Sequence, residues 1–339
     1  MRSKQVLKLS EVRELIKKHD RKDLEFIIAQ LYKMISKDKK IDNDVASLIE
    51  NPGKFANSSK TSKKGKTMRP FDDVEKEVLF FEANAYEQNY MIPNRSIKKA
   101  DRPKWRFVVK RLYKELNEYA KQEKYIQKAA DNLLKLYEVL TYACGYYLFN
   151  AYDAFDSVGI AQETFFQSVV DKYNKTQERE AFISKSIDIM FDNFLNRYTL
   201  YSDLMLIFLE YIQTPDMLYL TIDISRQKRQ KLANTEKTTK GDYEYEVEKK
   251  LNNYTELVFR CYASLYEFDN ALSDYQKYAI EREEEVKLYI LVSLLFGYEK
   301  KDLILKLITE NEKKMALRER LIKMKNYILE KDELPKYMY

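Results

Sequence analysis

The chain has 339 residues and sets 60 Lys and Arg against 54 Asp and Glu, a mild basic excess whose distribution matters more than its size. Six Gly and six Pro stand where average usage would place about 40 of the two together, which excludes a turn-rich β architecture and favours long, uninterrupted helices. Two cysteines exclude a disulfide framework, a single histidine removes most histidine-based catalysis, and the 28 Tyr and 17 Phe make aromatic packing a main source of core.

Ser10 and Asp20 are placed as N-caps of two amphipathic helices, the first carrying Val12, Leu15 and Ile16 and the second Leu24, Ile27, Ile28, Leu31 and Ile35. Asp42 is expected to cap a third, ended by Asn51-Pro52-Gly53, so residues 1–52 read as a small helical module. Residues 53–70 lose the apolar period and hold six cations and no acid from Lys54 to Pro70, the composition of a flexible basic linker. A central helical domain is expected over 71–233. It opens with a helix from Asp72 or Asp73 to about Tyr90, turns at Pro93-Asn94, and continues with a helix from Pro103 that buries Trp105, Val108, Val109, Leu112 and Leu116.

Further helices are predicted near 125–149, 160–174, 178–196 and 201–213, and Thr214-Pro215 supplies an N-cap with Pro at the first helical position. The polar stretch 234–242 marks a second boundary, followed by C-terminal hairpins over 243–339 with helices near 243–267, 269–281, 283–296 and 300–330. Gly297 is expected as a C-terminal cap. No strand is predicted. Ala271 and Tyr275 sit at spacings like those of the second helix of a tetratricopeptide repeat, but no neighbour repeats them, so the pattern is an irregular array. The start of the chain lacks an apolar signal core and the apolar stretch Leu288 to Phe296 is too short to span a bilayer, which makes the cytoplasm the expected compartment and a membrane partner unexpected.

The run Leu9 to Tyr32, with Ile49-Glu-Asn-Pro52, resembles the opening of an uncharacterised bacterial family known only as a domain of unknown function. Asn94 to Phe107 and Tyr142 to Phe149 resemble the same family. That resemblance implies no activity. The two N-terminal helices also resemble the SAP helix–loop–helix fold used on DNA, without its usual Gly in the connection.

Several chemistries were weighed on the residues. Arg13 and His19 have the R-x5-H spacing of HEPN-class ribonucleases, set against a surface Arg and a His placed favourably at a helix C-terminus. Gly65-Lys66-Thr67 ends like a phosphate-binding loop, but Lys60 stands where the first Gly belongs and no strand precedes it. Cys144 has no base near it in sequence, and Asp153, Asp156 and Glu163 read as helix-capping carboxylates rather than metal ligands. Tyr137, Tyr142, Tyr146, Tyr147 and Tyr152 are read first as interior packing and second as a groove that holds a peptide or stacks bases.

Arg95, Lys98, Lys99, Arg102, Arg106, Lys110 and Lys114 form the candidate binding set for nucleic acid or an acidic partner, in a segment of nine cations and one acid. Arg106, Lys110 and Lys114 recur every four residues on one helix face. The expectation is an all-α irregular array of helical hairpins with a small N-terminal module, acting without a cofactor or metal as a scaffold for a protein or peptide partner. The alternatives are a sequence-nonspecific nucleic-acid binder using 54–70 and 94–114, and an enzyme, for which Arg13 and His19 would be the ribonuclease pair.

Overall fold

The computed structural model describes residues 9–36, 40, 45–52, 68–94, 96–235 and 242–338, and among them it has sixteen α-helices and no strand. The all-α expectation holds. The chain divides into two bodies, residues 1–68 and 69–339.

In the first body, α1 (Leu9–Ile16), α2 (Arg21–Met34) and α3 (Val45–Glu50) are short. Asp20 caps α2 by accepting from the Asp23 amide at 2.8 Å. α1 already includes Ser10, so the expected cap there is displaced. The Asp42 cap and residues 53–67 of the expected linker lie outside the described residues. Arg69, at the end of that linker, opens the second body: its guanidinium donates to Glu77 at 2.7 Å and to Glu115 at 2.5 Å.

The second body contains α4 (Phe71–Tyr86), α5 (Trp105–Tyr119), α6 (Ile126–Gly145), α7 (Ala154–Val158), α8 (Gln162–Thr176), α9 (Arg179–Phe191), α10 (Tyr201–Leu209), α11 (Pro215–Thr235), α12 (Asp242–Ser264), α13 (Phe268–Tyr278), α14 (Glu284–Gly297), α15 (Lys301–Glu312) and α16 (Glu319–Lys331). α6 is apolar on several faces, through Ala130, Leu133, Leu136, Tyr137, Val139 and Leu140, and a helix of that kind must be covered all round. α4, α5, α7 and α8 cover it. α5 turns Trp105, Val109, Leu112 and Leu116 inward as its stripe predicts, while Val108 is half-buried.

Beyond α8 the helices pack mainly on elements one or two places away in sequence, α9 on α11, α11 on α12, α12 on α13, then α14 on α15 and α15 on α16. This is the irregular array expected. Ala271 and Tyr275 are buried, and the Tyr275 ring meets Phe259 edge-on at 6.1 Å. The expected boundary at 234–242 falls between α11 and α12, two helices that pack side by side within one body.

Two expectations need correction. The predicted helix 300–330 breaks between Glu312 and Glu319, where Arg318 is extended and Glu285 accepts from both its amide, at 3.1 Å, and its guanidinium, at 2.5–2.9 Å. That partner lies 33 residues away, so no local breaker announces the turn. Gly297 is the last helical residue rather than the cap, and the left-handed turn is made by Glu299 at φ 56°.

Lys172 on α8 is buried, its ammonium donating to the Ser168 carbonyl at 2.8 Å and hydroxyl at 3.0 Å, and burial lowers its pKa to about 8. The depressed folded-state pKa means that the unfolded chain binds more protons between about pH 8 and 10.5, so stability rises with pH across that window and its cost is fully present below it. Lys172→Met keeps the stem and leaves Ser168 still donating to Asn117. It is expected to stabilise the fold at pH 7 by about 1–3 kcal/mol, with the gain shrinking towards pH 10.5 in urea titrations. A destabilised Lys172→Met would mean that the two hydrogen bonds outweigh the desolvation.

Candidate functional site

The basic segment folds partly upon itself. Arg102 is half-buried, its Nε donating to the Ile97 carbonyl at 3.0 Å and its Nη2 to that of Asn94, so it staples the turn rather than facing a ligand alone. Arg111 pairs with Glu77, and Lys104 pairs with Asp101 at 2.7 Å. On α5, Arg106 and Lys114 are exposed, but the Lys110 ammonium turns against the left-handed Gly159 that ends α7, 3.1 Å from where a Cβ would stand. A cation there complements the helix C-terminus. Lys98 and Lys99 are exposed, and Arg95 lies outside the described residues. The expected phosphate-tracking row is therefore thinned at Lys110.

Lys99 and Arg102 border an apolar cleft of about 350 Å³ whose floor is Tyr90, Met91, Ile92, Pro103 and Trp105. Asn150 closes its far side, and with it the cleft reaches the loop between α6 and α7.

The last turn of α6, that loop and the one between α9 and α10 display the tyrosines. Tyr137 is fully buried, as interior packing requires, but Tyr142, Tyr146, Tyr147 and Tyr152 are exposed, the last two at 80% and 84%. The reading of those four as core is overturned. Tyr86 meets Tyr142 edge-on at 5.4 Å, Tyr142 stacks on Tyr146 at 4.5 Å, and Tyr146 meets Phe194 edge-on at 5.5 Å. On the second loop the Arg197 guanidinium lies 4.2 Å over Tyr152 of the first loop and 5.2 Å over Tyr198.

Hydrogen bonds anchor the second of these loops. Gln162, fully buried at the start of α8, donates to the Tyr137 hydroxyl at 3.1 Å and the Phe194 carbonyl at 3.0 Å, and accepts from the Asn196 amide at 2.7 Å. Thr141 donates to Asn193 at 2.8 Å, and the Asn196 side chain accepts from the Tyr198 and Thr199 amides. Gly145 lies close to the Phe194 ring, where an added Cβ would stand 3.0 Å away and the ring would have to give. Gln88 donates to the Tyr147 carbonyl at 3.0 Å.

The charge along this surface is mixed. Glu82 and Glu138 flank the Tyr86 end, where burial first and these two carboxylates next push the Tyr86 hydroxyl up to about 12. Arg197 stands at the other end. A surface of rings with both signs of charge suits a polypeptide better than a polyanion.

The sequence points to Tyr142, Tyr146, Tyr147 and Tyr152 but not to Tyr86, which lies near the end of a predicted helix, nor to Phe194, Arg197 and Tyr198, where a helix predicted over 178–196 hides the loop. α9 ends at Phe191. Asn193 and Asn196, whose side chains bond locally to the backbone, were the available signal of a turn.

Nucleophilic chemistry finds little footing. Burial pushes the Cys144 thiol up to about 12 and raises that of Cys261, so neither is a thiolate near neutral pH. His19 is exposed beside Asp23 at 3.5 Å, and the Arg13 side chain lies outside the described residues. Asp153 caps α7 by accepting from the Asp156 amide at 3.0 Å. No helix among the described residues is long and apolar enough to cross a membrane. Comparison of the chain with family models, with curated proteins and with solved structures found no match.

Proposed function

We propose that the protein is a non-enzymatic interaction protein that docks an extended segment of a partner protein across the aromatic surface. The observation that carries this reading is the exposed ring chain Tyr86, Tyr142, Tyr146 and Phe194, presented by the ends of α4 and α6 and by the loop after α9, which Gln162 and Thr141 anchor through hydrogen bonds. Exposed apolar patches of this kind mark binding sites, and side chains fixed before binding lose little entropy on association. The neighbouring cleft, apolar below and cationic at Lys99 and Arg102, suits an apolar anchor beside an acidic residue of the same segment.

Selection of random peptides on the purified full chain is expected to enrich sequences with an aromatic or aliphatic anchor and an acidic neighbour. Tyr142→Ala with Tyr146→Ala should weaken the selected peptides by about tenfold or more, the loss typical of central anchors. Binders that ignore both substitutions would contradict the reading.

A second reading has its own support, because exposed rings and the exposed cations Lys98, Lys99, Arg106 and Lys114 are the two kinds of group that bind single-stranded nucleic acid. Titration of a mixed-sequence single strand separates the two. Nucleic-acid binding predicts that log affinity falls linearly with log salt and that the tyrosine pair contributes. Absence of binding at about 50 mM salt removes it.

A further inference from the structure

A second site lies away from the aromatic surface, in a cleft of about 620 Å³ between α11 and α13. Its floor is a buried charge cluster. The Asp274 carboxylate, 4% exposed, accepts from two guanidinia of α11, Arg226 at 2.7 and 3.0 Å and Arg229 at 2.8 and 3.2 Å. Arg229 is itself 5% exposed and also donates to the Thr255 hydroxyl of α12 at 3.1 Å. Aromatic rings lie against the guanidinia, with Tyr278 at 3.8 Å from Arg229 and Tyr262 at 5.3 Å from Arg226. Lys277, one turn after Asp274, lines the same cleft and makes no ion pair among the described residues.

The cluster is overcharged for a purely structural role. Holding α11 to α13 needs one guanidinium on one carboxylate, yet three cations line the cleft against the single carboxylate of Asp274. Asp274 compensates the buried Arg229, whereas Arg226 and Lys277 reach water and leave positive charge open to a further anion. Besides Ala233, the remaining lining of Gln230, Asn270 and Ser273 is neutral and hydrogen-bonding, and the volume lies in the range of small-molecule sites, well beyond what a lone oxyanion fills.

We propose that this cleft binds a sugar phosphate, with the dianionic phosphate between Arg226, Arg229 and Lys277 and the hydroxylated part against Gln230, Asn270 and Ser273. A phosphate monoester near neutral pH carries about two negative charges, which matches the excess of two cations, whereas a monocarboxylate would leave one uncompensated. Asp274 takes the Nε and Nη2 donors of Arg226 and the Nη1 and Nη2 donors of Arg229, so the donors left to the phosphate are chiefly the Lys277 ammonium and the exposed side of Arg226.

The test is calorimetric titration of the full chain with ribose 5-phosphate, inorganic phosphate and ribose. Ribose 5-phosphate is expected to bind, inorganic phosphate more weakly, and ribose not at all. Lys277→Gln, at an exposed position, should weaken ribose 5-phosphate by about tenfold while leaving the thermal midpoint unchanged, and Arg226→Gln should weaken it at least as much. No binding of either phosphate up to roughly 10 mM overturns the proposal. So does binding that both substitutions leave intact, which would place the anion elsewhere. Equal affinity for ribose 5-phosphate and inorganic phosphate would overturn the assignment to an ester.

Discussion

Trp105→Ala is expected to lower stability by about 3–5 kcal/mol, measured as the shift of a urea midpoint followed by circular dichroism. The indole is 4% exposed and stacks on Phe149 at 3.9 Å with the planes 11° apart. Phe149 in turn stacks on Phe81 at 6.0 Å and leans on Tyr90 at 5.7 Å, so removing the indole opens one end of a four-ring assembly that joins α4, α5 and the loop after α6. Rings fixed on three elements relax little into a void, and the cost of a large-to-small change grows with the cavity that stays open. Trp105→Phe keeps a ring against Phe149 and should cost less than half as much. The same residue floors the cleft beside Lys99 and Arg102, and the small exposed fraction decides between its two roles. An alanine variant within about 0.5 kcal/mol of the parent would assign the ring to ligand stacking instead.

The Trp105 stripe was legible because it is local. Apolar residues at helical spacing on α5, the Asp20 cap on α2, and Thr214 ahead of Pro215, whose hydroxyl accepts from the Met217 amide at 3.3 Å, each declare themselves within one or two turns. The tyrosines did not, because Tyr is apolar enough for a core and polar enough for a surface. Tyr137 and Tyr142 lie on the same helix, yet α7 and α8 bury the first and the second stands in the last turn, beyond what they cover. The break between α15 and α16 depends on Glu285, and the cleft between α11 and α13 depends on a pairing 48 residues apart. Such contacts leave no period in the sequence. The cations from Lys98 to Lys114 were legible as charge, but their assignment to carbonyls, carboxylates and a helix end required the fold.

Asp274→Leu is expected to destabilise the protein by about 3–5 kcal/mol, because it strips the carboxylate from a buried guanidinium. Arg226 is 40% exposed at its side chain and can swing into water, but Arg229 is 6% exposed and keeps only Thr255 and the Tyr278 face. The penalty is thus the burial of one unpaired charge rather than the worth of the pair, and that distinction can be measured. Adding Arg229→Met to Asp274→Leu removes the stranded charge, so the double variant should be more stable than Asp274→Leu alone, a coupling of about 1–3 kcal/mol in a double-mutant cycle. Additive losses would show that the two side chains act separately and that α11 and α13 are held through α12, on which both pack. In the favourable case, a charge cluster that the fold tolerates only while Asp274 is present is also one that a bound dianion would stabilise further, so ribose 5-phosphate should raise the parent's thermal midpoint by mass action.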